Sequence, residues 1–395
     1  MGIFAGKCRW RGVLWTAFLL VLLCGAVTST RAQDLSLTIT NTEGFDRMGE
    51  TVSLPWDELR RHIPSIDPAS VAVQTLPENM EVLIQRTGED LLLQVDIGAE
   101  QSREFLIRSG VLPPARIQPR VDGRFVLPRE DYAWENDRIA FRVYGPALAG
   151  EVRNGIDVWT KRVRYLIVQK WYRESEEGPP GQDSYHVDRG EGADFFSVGR
   201  SLGAGAAALW SNGTLHQPGV FSSWRTIVNG PLRIEFELTY DSILVDGVLY
   251  NETRRIRLDA GSNLNRIDVT YWGEDAAEDL VIACGLVKRP GTVVRRNEPE
   301  GWMSLWGATN ADTANGFLGT GVILAAGATA GSAEDSIHTV MLGKAGAGVP
   351  FTYYAGAGWT RSGDFDGADD WQAYLSHFSR ALRSPLKLSL SRAGQ

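Results

Sequence analysis

The residues best able to do chemistry crowd into one short stretch, Tyr185-His186-Val187-Asp188-Arg189-Gly190-Glu191-Gly192-Ala193-Asp194. A histidine, three carboxylates and glycine turns so close together can supply a general base, acid partners or oxygen ligands for a hard cation. His186 is one of only five histidines in the chain and stands beside Tyr185; an imidazole changes charge near neutral pH. A plain solvated loop is the competing reading for any one of these side chains. A second cluster, Trp134-Glu135-Asn136-Asp137-Arg138, runs into Phe141-Arg142-Val143-Tyr144, with Arg138, Ala140 and Arg142 on one strand face. Guanidinium forks there either pair with Glu135 and Asp137 or grip a carboxylate or sulfate. A third group gathers His216, Trp224, Arg225, Arg233 and Glu235. Arg233 and Glu235 share the polar face of one strand, as an ordinary ion pair or, if that face lines a cleft, as substrate ligands or an acid–base element.

Other motifs weigh less. Gly199-Arg200-Ser201-Leu202-Gly203 matches the nucleophile elbow of serine hydrolases in letters. That motif works on a strand–turn–helix within alternating β and α units, which this sequence lacks. A glycine-rich turn is therefore expected, with an esterase as the minor alternative. Of 13 tryptophans, most should anchor the core, while a few, with Trp134 and Trp224 as candidates, could stack on sugar rings. No metal or cofactor is implied; the alternative is a divalent cation held by Asp188, Glu191 and Asp194.

The elements that must position these groups are strands. Leu232, Ile234, Phe236, Leu238 and Tyr240 alternate with Arg233, Glu235, Glu237 and Thr239, and Ile267, Val269 and Tyr271 alternate with Asp268 and Thr270. Period-two patterning predicts half-buried antiparallel strands. Asn-Gly and Asp-Gly pairs supply hairpin turns. Two helices are expected: a short one over 56–63, and one near the end where Trp371, Tyr374, Leu375, Phe378 and Leu382 recur at helical spacing before Pro385. The predicted class is all-β: a small N-terminal β-sandwich over 33–110, a proline-broken linker over 111–130, and a large antiparallel super-sandwich over 131–395 ending in a helix.

The chain has 395 residues and a formal net charge of −8. Its first 32 residues carry Lys7, Arg9, Arg11 and Arg31 and no acid, so the remainder is more acidic still. That balance argues against nucleic acid, which needs a concentrated basic surface. Basic residues, the apolar stretch 13–27 and Thr30-Arg31-Ala32 form the three-part pattern of a signal peptide over 1–32. The expected mature protein is exported, periplasmic or extracellular, and has no membrane span once the leader is removed. Cys8 and Cys24 would leave with it, so Cys284 stands alone as a small buried hydrophobe. Oligomeric state is not legible.

Several strings carry a family resemblance: Trp134 through Pro146 in full, Tyr185-His186 with Gly190-Glu191-Gly192-Ala193-Asp194-Phe195, Asn229-Gly230-Pro231-Leu232-Arg233, Leu258-Asp259-Ala260-Gly261-Ser262-Asn263 and Gly356-Ala357-Gly358-Trp359. With them the chain resembles the exported bacterial proteins of domain of unknown function 4861, and its large β block is similar to the super-sandwich of galactose mutarotases and several polysaccharide lyases. The resemblance implies a carbohydrate role beside enzymes that degrade uronate-containing polysaccharides, and names no reaction. The expected function is an enzyme on a uronate glycan, a lyase ahead of a glycoside hydrolase. β-Elimination needs a base (His186 or His216), a carboxylate clamp (Arg225 or Arg233) and an acid (Tyr185). Hydrolysis would need paired carboxylates, from Glu191, Glu235 or Asp194. Trp134, Arg142, Asp194 and Trp224 complete the expected binding set. A non-catalytic glycan-binding protein and a sugar epimerase are the alternatives.

Overall fold

A computed structural model describes residues 34–111, 117–177, 185–325 and 327–393, together with Gly2. The leader expected over 1–32 thus lies, Gly2 apart, outside the described residues. The fold is all-β, built from antiparallel sheets with three α-helices among the described residues. No described helix is long and apolar enough to cross a membrane.

An eight-stranded sheet runs in the order Ser223–Asn229, Arg233–Val245, Val248–Asp259, Leu264–Trp272, Phe351–Trp359, Phe317–Leu324, Trp302–Ala308 and Val293–Asn297. Facing it, a five-stranded sheet has Leu280–Val287 at its centre, with Ala204–Ser211 on one side and His338–Ala345 on the other. The alternation in the sequence explains the packing. Leu232, Ile234, Phe236, Leu238 and Tyr240 enter one shared core with Ala206, Ala208, Cys284 and Val340 of the opposite sheet. Cys284 is fully buried and unpaired, as its apolar neighbours imply, and burial pushes its thiol up.

A second five-stranded sheet carries the first two chemical clusters, in the order Gly192–Ala193, Asp157–Lys161, Ile139–Val143, Asp131–Asn136, Val121–Val126. Its inner face (Tyr132, Trp134, Phe141, Val143, Val158) joins the large core. Its outer face is covered by the helix Val168–Glu177 through Trp171 and Tyr172. The strand Val121–Val126 falls in the stretch 111–130 that was expected to be irregular. Pro119 and Pro128 flank that strand rather than interrupt it, so proline content alone misread the stretch.

The N-terminal region forms its own core between a three-stranded sheet and a four-stranded one. The last strand of the chain, Lys387–Arg392, pairs with Leu35–Thr40 at the edge of the four-stranded sheet. Of the expected helices, Trp56–His62 and Ala368–Arg383 form. The latter buries Trp371 and Leu375 against the outer face of the eight-stranded sheet, and burying such side chains contributes roughly 2–3 kcal/mol each.

Candidate functional site

Strand register builds the densest chemical site. Asp157 stands opposite Arg142, Ala133 opposite Arg142 on the other side, and Trp159 opposite Ala140. With period-two alternation, Asp131, Arg142, Tyr144, Asp157 and Trp159 therefore share the outer face of the second five-stranded sheet. Arg142 is 5% exposed. Its guanidinium donates to Asp157 Oδ2 at 2.6 and 3.0 Å and to Asp194 Oδ2 at 2.9 Å, with Asp131 Oδ2 at 3.8 Å. Its charge also lies over the rings of Tyr144 and Trp159, at 4.6 and 5.0 Å. Three buried carboxyls thus surround one cation.

The surplus of acid shows in the titration. Burial, with the charge of Asp157, holds Asp194 well above the usual carboxylate range. Burial pushes Asp131 up to about 6 against the pull of Arg142 and a hydrogen bond donated by Tyr172 at 3.0 Å. The neighbouring phenols Tyr144, Tyr172 and Tyr185 are all raised, chiefly by burial, and stay protonated.

The cluster reaches solvent at His186, whose side chain is 46% exposed. His186 Nδ1 lies 3.0 Å from the Asp194 carbonyl oxygen. Because that oxygen can only accept, Nδ1 carries the proton and Nε2 is left as the acceptor. Tyr185 stacks on Trp159 at 5.0 Å, and its ring centre lies 4.6 Å from that of His186. Arg129 lies over the rings of Tyr172 and Tyr185, at 5.8 and 5.6 Å, and makes no ion pair among the described residues.

Tyr185, His186, Arg142 and Asp194 are therefore brought together, and the other candidates lie elsewhere. Glu191, in the same loop, turns away to accept from Lys170 (2.6 Å), Trp171 (3.0 Å) and Tyr165. Those bonds hold it below its ordinary value against the opposing effect of burial. Asp188 caps the loop by accepting from the Gly190 and Gly192 amides and pairs with Arg162 and Arg361. Asp188, Glu191 and Asp194 thus point to three different partners, and no metal-holding group of three occurs among the described residues. Trp134 is fully buried, its indole donating to Asn265 Oδ1 at 2.7 Å, so it has no face left for a sugar. His216 sits on an edge strand against the Leu244 carbonyl oxygen. Trp224 is exposed and stacks on Phe125 at 5.0 Å.

The ion pairing differs from the sequence expectation. Glu135 pairs with Lys161 at 2.6 Å, both buried, and accepts the Ile167 and Val168 amides at the start of the helix. Asp137 pairs with Arg120, and Arg138 pairs with Asp364. Arg233 and Glu235 do not pair with each other: Arg233 holds Asp259, and Glu235 is shared by Arg255 and Arg257. Arg225 pairs with Glu237. Ser201 Oγ donates to the Val198 carbonyl oxygen at 2.6 Å and accepts the Gly203 amide, and the segment continues into a strand. That is a turn, not a nucleophile elbow. Asp131, Asp157, Tyr172 and Arg129 escaped the sequence reading; Asp157, inside the apolar stretch around Trp159, was the one available hint.

The site and sheets define an all-β protein of packed antiparallel sheets with a buried acid cluster. The chain belongs to the family of domain of unknown function 4861 (DUF4861), whose model matches residues 39–388. A relative from Formosa agariphila, "Uncharacterized protein P7", is 27% identical over an alignment 380 residues long that covers 90% of this chain and 93% of the relative. Two crystal structures from Enterococcus faecalis are similar at low identity. One is a protein in glycosyl hydrolase family 38 (11% identical, TM-score 0.47, 91% of this chain and 47% of that one). The other is an alpha-mannosidase (10%, 0.42, 91% and 46%). The chain spans about half the length of both.

Proposed function

We propose that this protein is an exported carbohydrate-active enzyme that cleaves uronate-containing glycans by acid–base chemistry, with β-elimination as the reaction. The observation that carries this reading is the surplus of carboxyls around Arg142, opening to solvent through an imidazole. Burial raises Asp131 and Asp194, so this cluster holds its protons more tightly than free carboxyls do, beside an imidazole that reaches solvent. His186 Nε2 is the base that takes the proton next to the sugar carboxylate. Arg129, unpaired among the described residues, is the clamp on that carboxylate. Tyr185 is the acid for the leaving oxygen. Arg142 itself is saturated by aspartates; it positions Asp194, whose carbonyl orients His186.

A second reading, hydrolysis, rests on Asp157 and Asp194 binding the same guanidinium nitrogen. A retaining glycosidase works with two carboxyls about 5–5.5 Å apart across the bond it cleaves. Glu191 and Glu235 do not form such a pair, since Glu191 is tied to Lys170 of the helix Val168–Glu177 and Glu235 to arginines of the eight-stranded sheet.

The test is turnover of uronate oligosaccharides, following new reducing ends and the ultraviolet band of unsaturated uronates together. Both signals should rise, His186→Ala should cut turnover by about 10²-fold or more while keeping the fold, and Arg129→Gln should raise KM. Reducing ends alone would replace elimination by hydrolysis at the aspartate pair. Silence with binding retained would make the protein a glycan-binding one.

A further inference from the structure

A separate cavity of about 370 Å³ lies on the outer face of the eight-stranded sheet. Its floor is Arg233, Arg257, Asp259, Arg266 and Tyr354, one wall is the strand segment 47–51, and the other is the helix Ala368–Arg383 through Tyr374 and Phe378. None of these residues belongs to the acid cluster around Arg142.

Two properties of this groove point to a ligand. The first is charge. Arg255 and Arg257 share the single carboxylate of Glu235, while Arg233 is matched by Asp259 and Arg266 by Asp268, so this face holds one cation more than its acids balance. The Arg257 Nε–H is buried and has no hydrogen-bond partner. Arg266, 39% exposed, stands on the neighbouring strand opposite Tyr354, with Arg257 opposite Arg266 on its other side. The two arginines thus occupy facing positions on adjacent strands of one sheet face. The second property is shape. Tyr354 and Phe378 meet edge to face at 5.2 Å, and Tyr374 extends the same wall. Such rings present apolar surface beside the cations, and a pyranose carries an apolar face with its charged substituent at the rim.

We infer that this groove is an auxiliary binding site for an anionic sugar unit, its carboxylate or sulfate held by Arg257 and Arg266 and its ring against Tyr354 and Phe378. The site stands apart from the proposed acid–base centre and adds a hold on the polymer at a distance from the bond that reacts.

The experiment is calorimetric titration of the full mature chain with a hexameric oligogalacturonate and, in parallel, with a sulfated neutral galactan hexamer. Wild-type protein should bind at least one of them with an affinity that falls steeply with salt. The double variant Arg257→Gln, Arg266→Gln should lose that binding about tenfold or more. Phe378→Ala, which leaves every ion pair of the floor in place, should weaken it by a smaller factor, and thermal melts of each variant establish that it is folded. Preference for one probe tells carboxylate from sulfate. Unchanged binding in both folded variants overturns the groove. Loss in Arg129→Gln with none in the groove variants moves all binding to the acid cluster. Loss in the groove variants alone, with no turnover in the wild type, leaves the groove standing and the acid–base reading fallen.

Discussion

Two faces of this molecule use the same antiparallel alternation to opposite electrical ends. On the outer face of the second five-stranded sheet, Asp131, Asp157 and Asp194 crowd Arg142. On the outer face of the eight-stranded sheet, Arg255 and Arg257 crowd Glu235. Burial decides what each surplus does. A carboxyl can answer an unfavourable charge by keeping its proton, and Asp194 and Asp131 both move upward. A guanidinium cannot, so the second face keeps its positive charge and is left to find an anion. Between these extremes lie buried pairs matched one to one, Lys161 with Glu135 and Arg254 with Glu252. Matched pairs read as architecture, and unmatched ones as sites.

The harshest way to break the comparison is to remove the cation from the acidic face. Arg142→Met leaves three buried carboxyls without their partner. Breaking a buried pair in this way costs about 3–5 kcal/mol, and urea unfolding should show it. A loss under 1 kcal/mol would mean that the aspartates are wetter than their burial implies.

A smaller effect, with a distinctive sign, belongs to the protons. Asp131 and Asp194 hold protons more tightly folded than unfolded. Their contribution to stability is therefore complete below the ordinary carboxylate range. It is lost as pH rises through the folded values, about 6 for Asp131 and likewise above the ordinary carboxylate range for Asp194. Asp194→Asn, neutral at every pH, should flatten that fall and be the more stable of the two proteins at alkaline pH. The same variant keeps the backbone carbonyl that orients His186, so turnover should survive it. An unchanged slope of stability against pH would take the raised Asp194 out of the account.

What the sequence made legible follows the same division. Alternation at Leu232 to Tyr240 announced strands because one face had to be buried, and Trp371 with Leu375 announced the last helix by spacing. Tyr185, His186 and Asp194 were legible because they are local to one segment. Asp131, Asp157 and Tyr172 were not, because strand register and a covering helix bring them to Arg142, and register is a long-range property. Trp134 misled for a related reason: a shift of one residue separates the core face from the face that carries Glu135. Glu191 misled because its segment was right and its direction was not. The joining of Lys387–Arg392 to Leu35–Thr40 spans nearly the whole chain, and nothing local could signal it.

The smallest expected effect sharpens the comparison from its balanced side. Arg225 and Glu237 form a cross-strand pair at 3.1 Å near the edge of the eight-stranded sheet, with the arginine side chain 68% exposed. They are matched one to one, like Lys161 and Glu135, but they are bathed in water. Solvent screens the attraction, and ordering two long side chains offsets much of what remains. Arg225→Ala should therefore change stability by less than about 0.5 kcal/mol. It should also leave anion binding in the groove intact, because Glu237 is not among the residues that line it. If Arg225→Ala weakens binding of the acidic hexamer as much as Arg257→Gln, Arg266→Gln does, the positive face acts as a diffuse field. If it does not, the surplus cation at Glu235 is what makes that face a site.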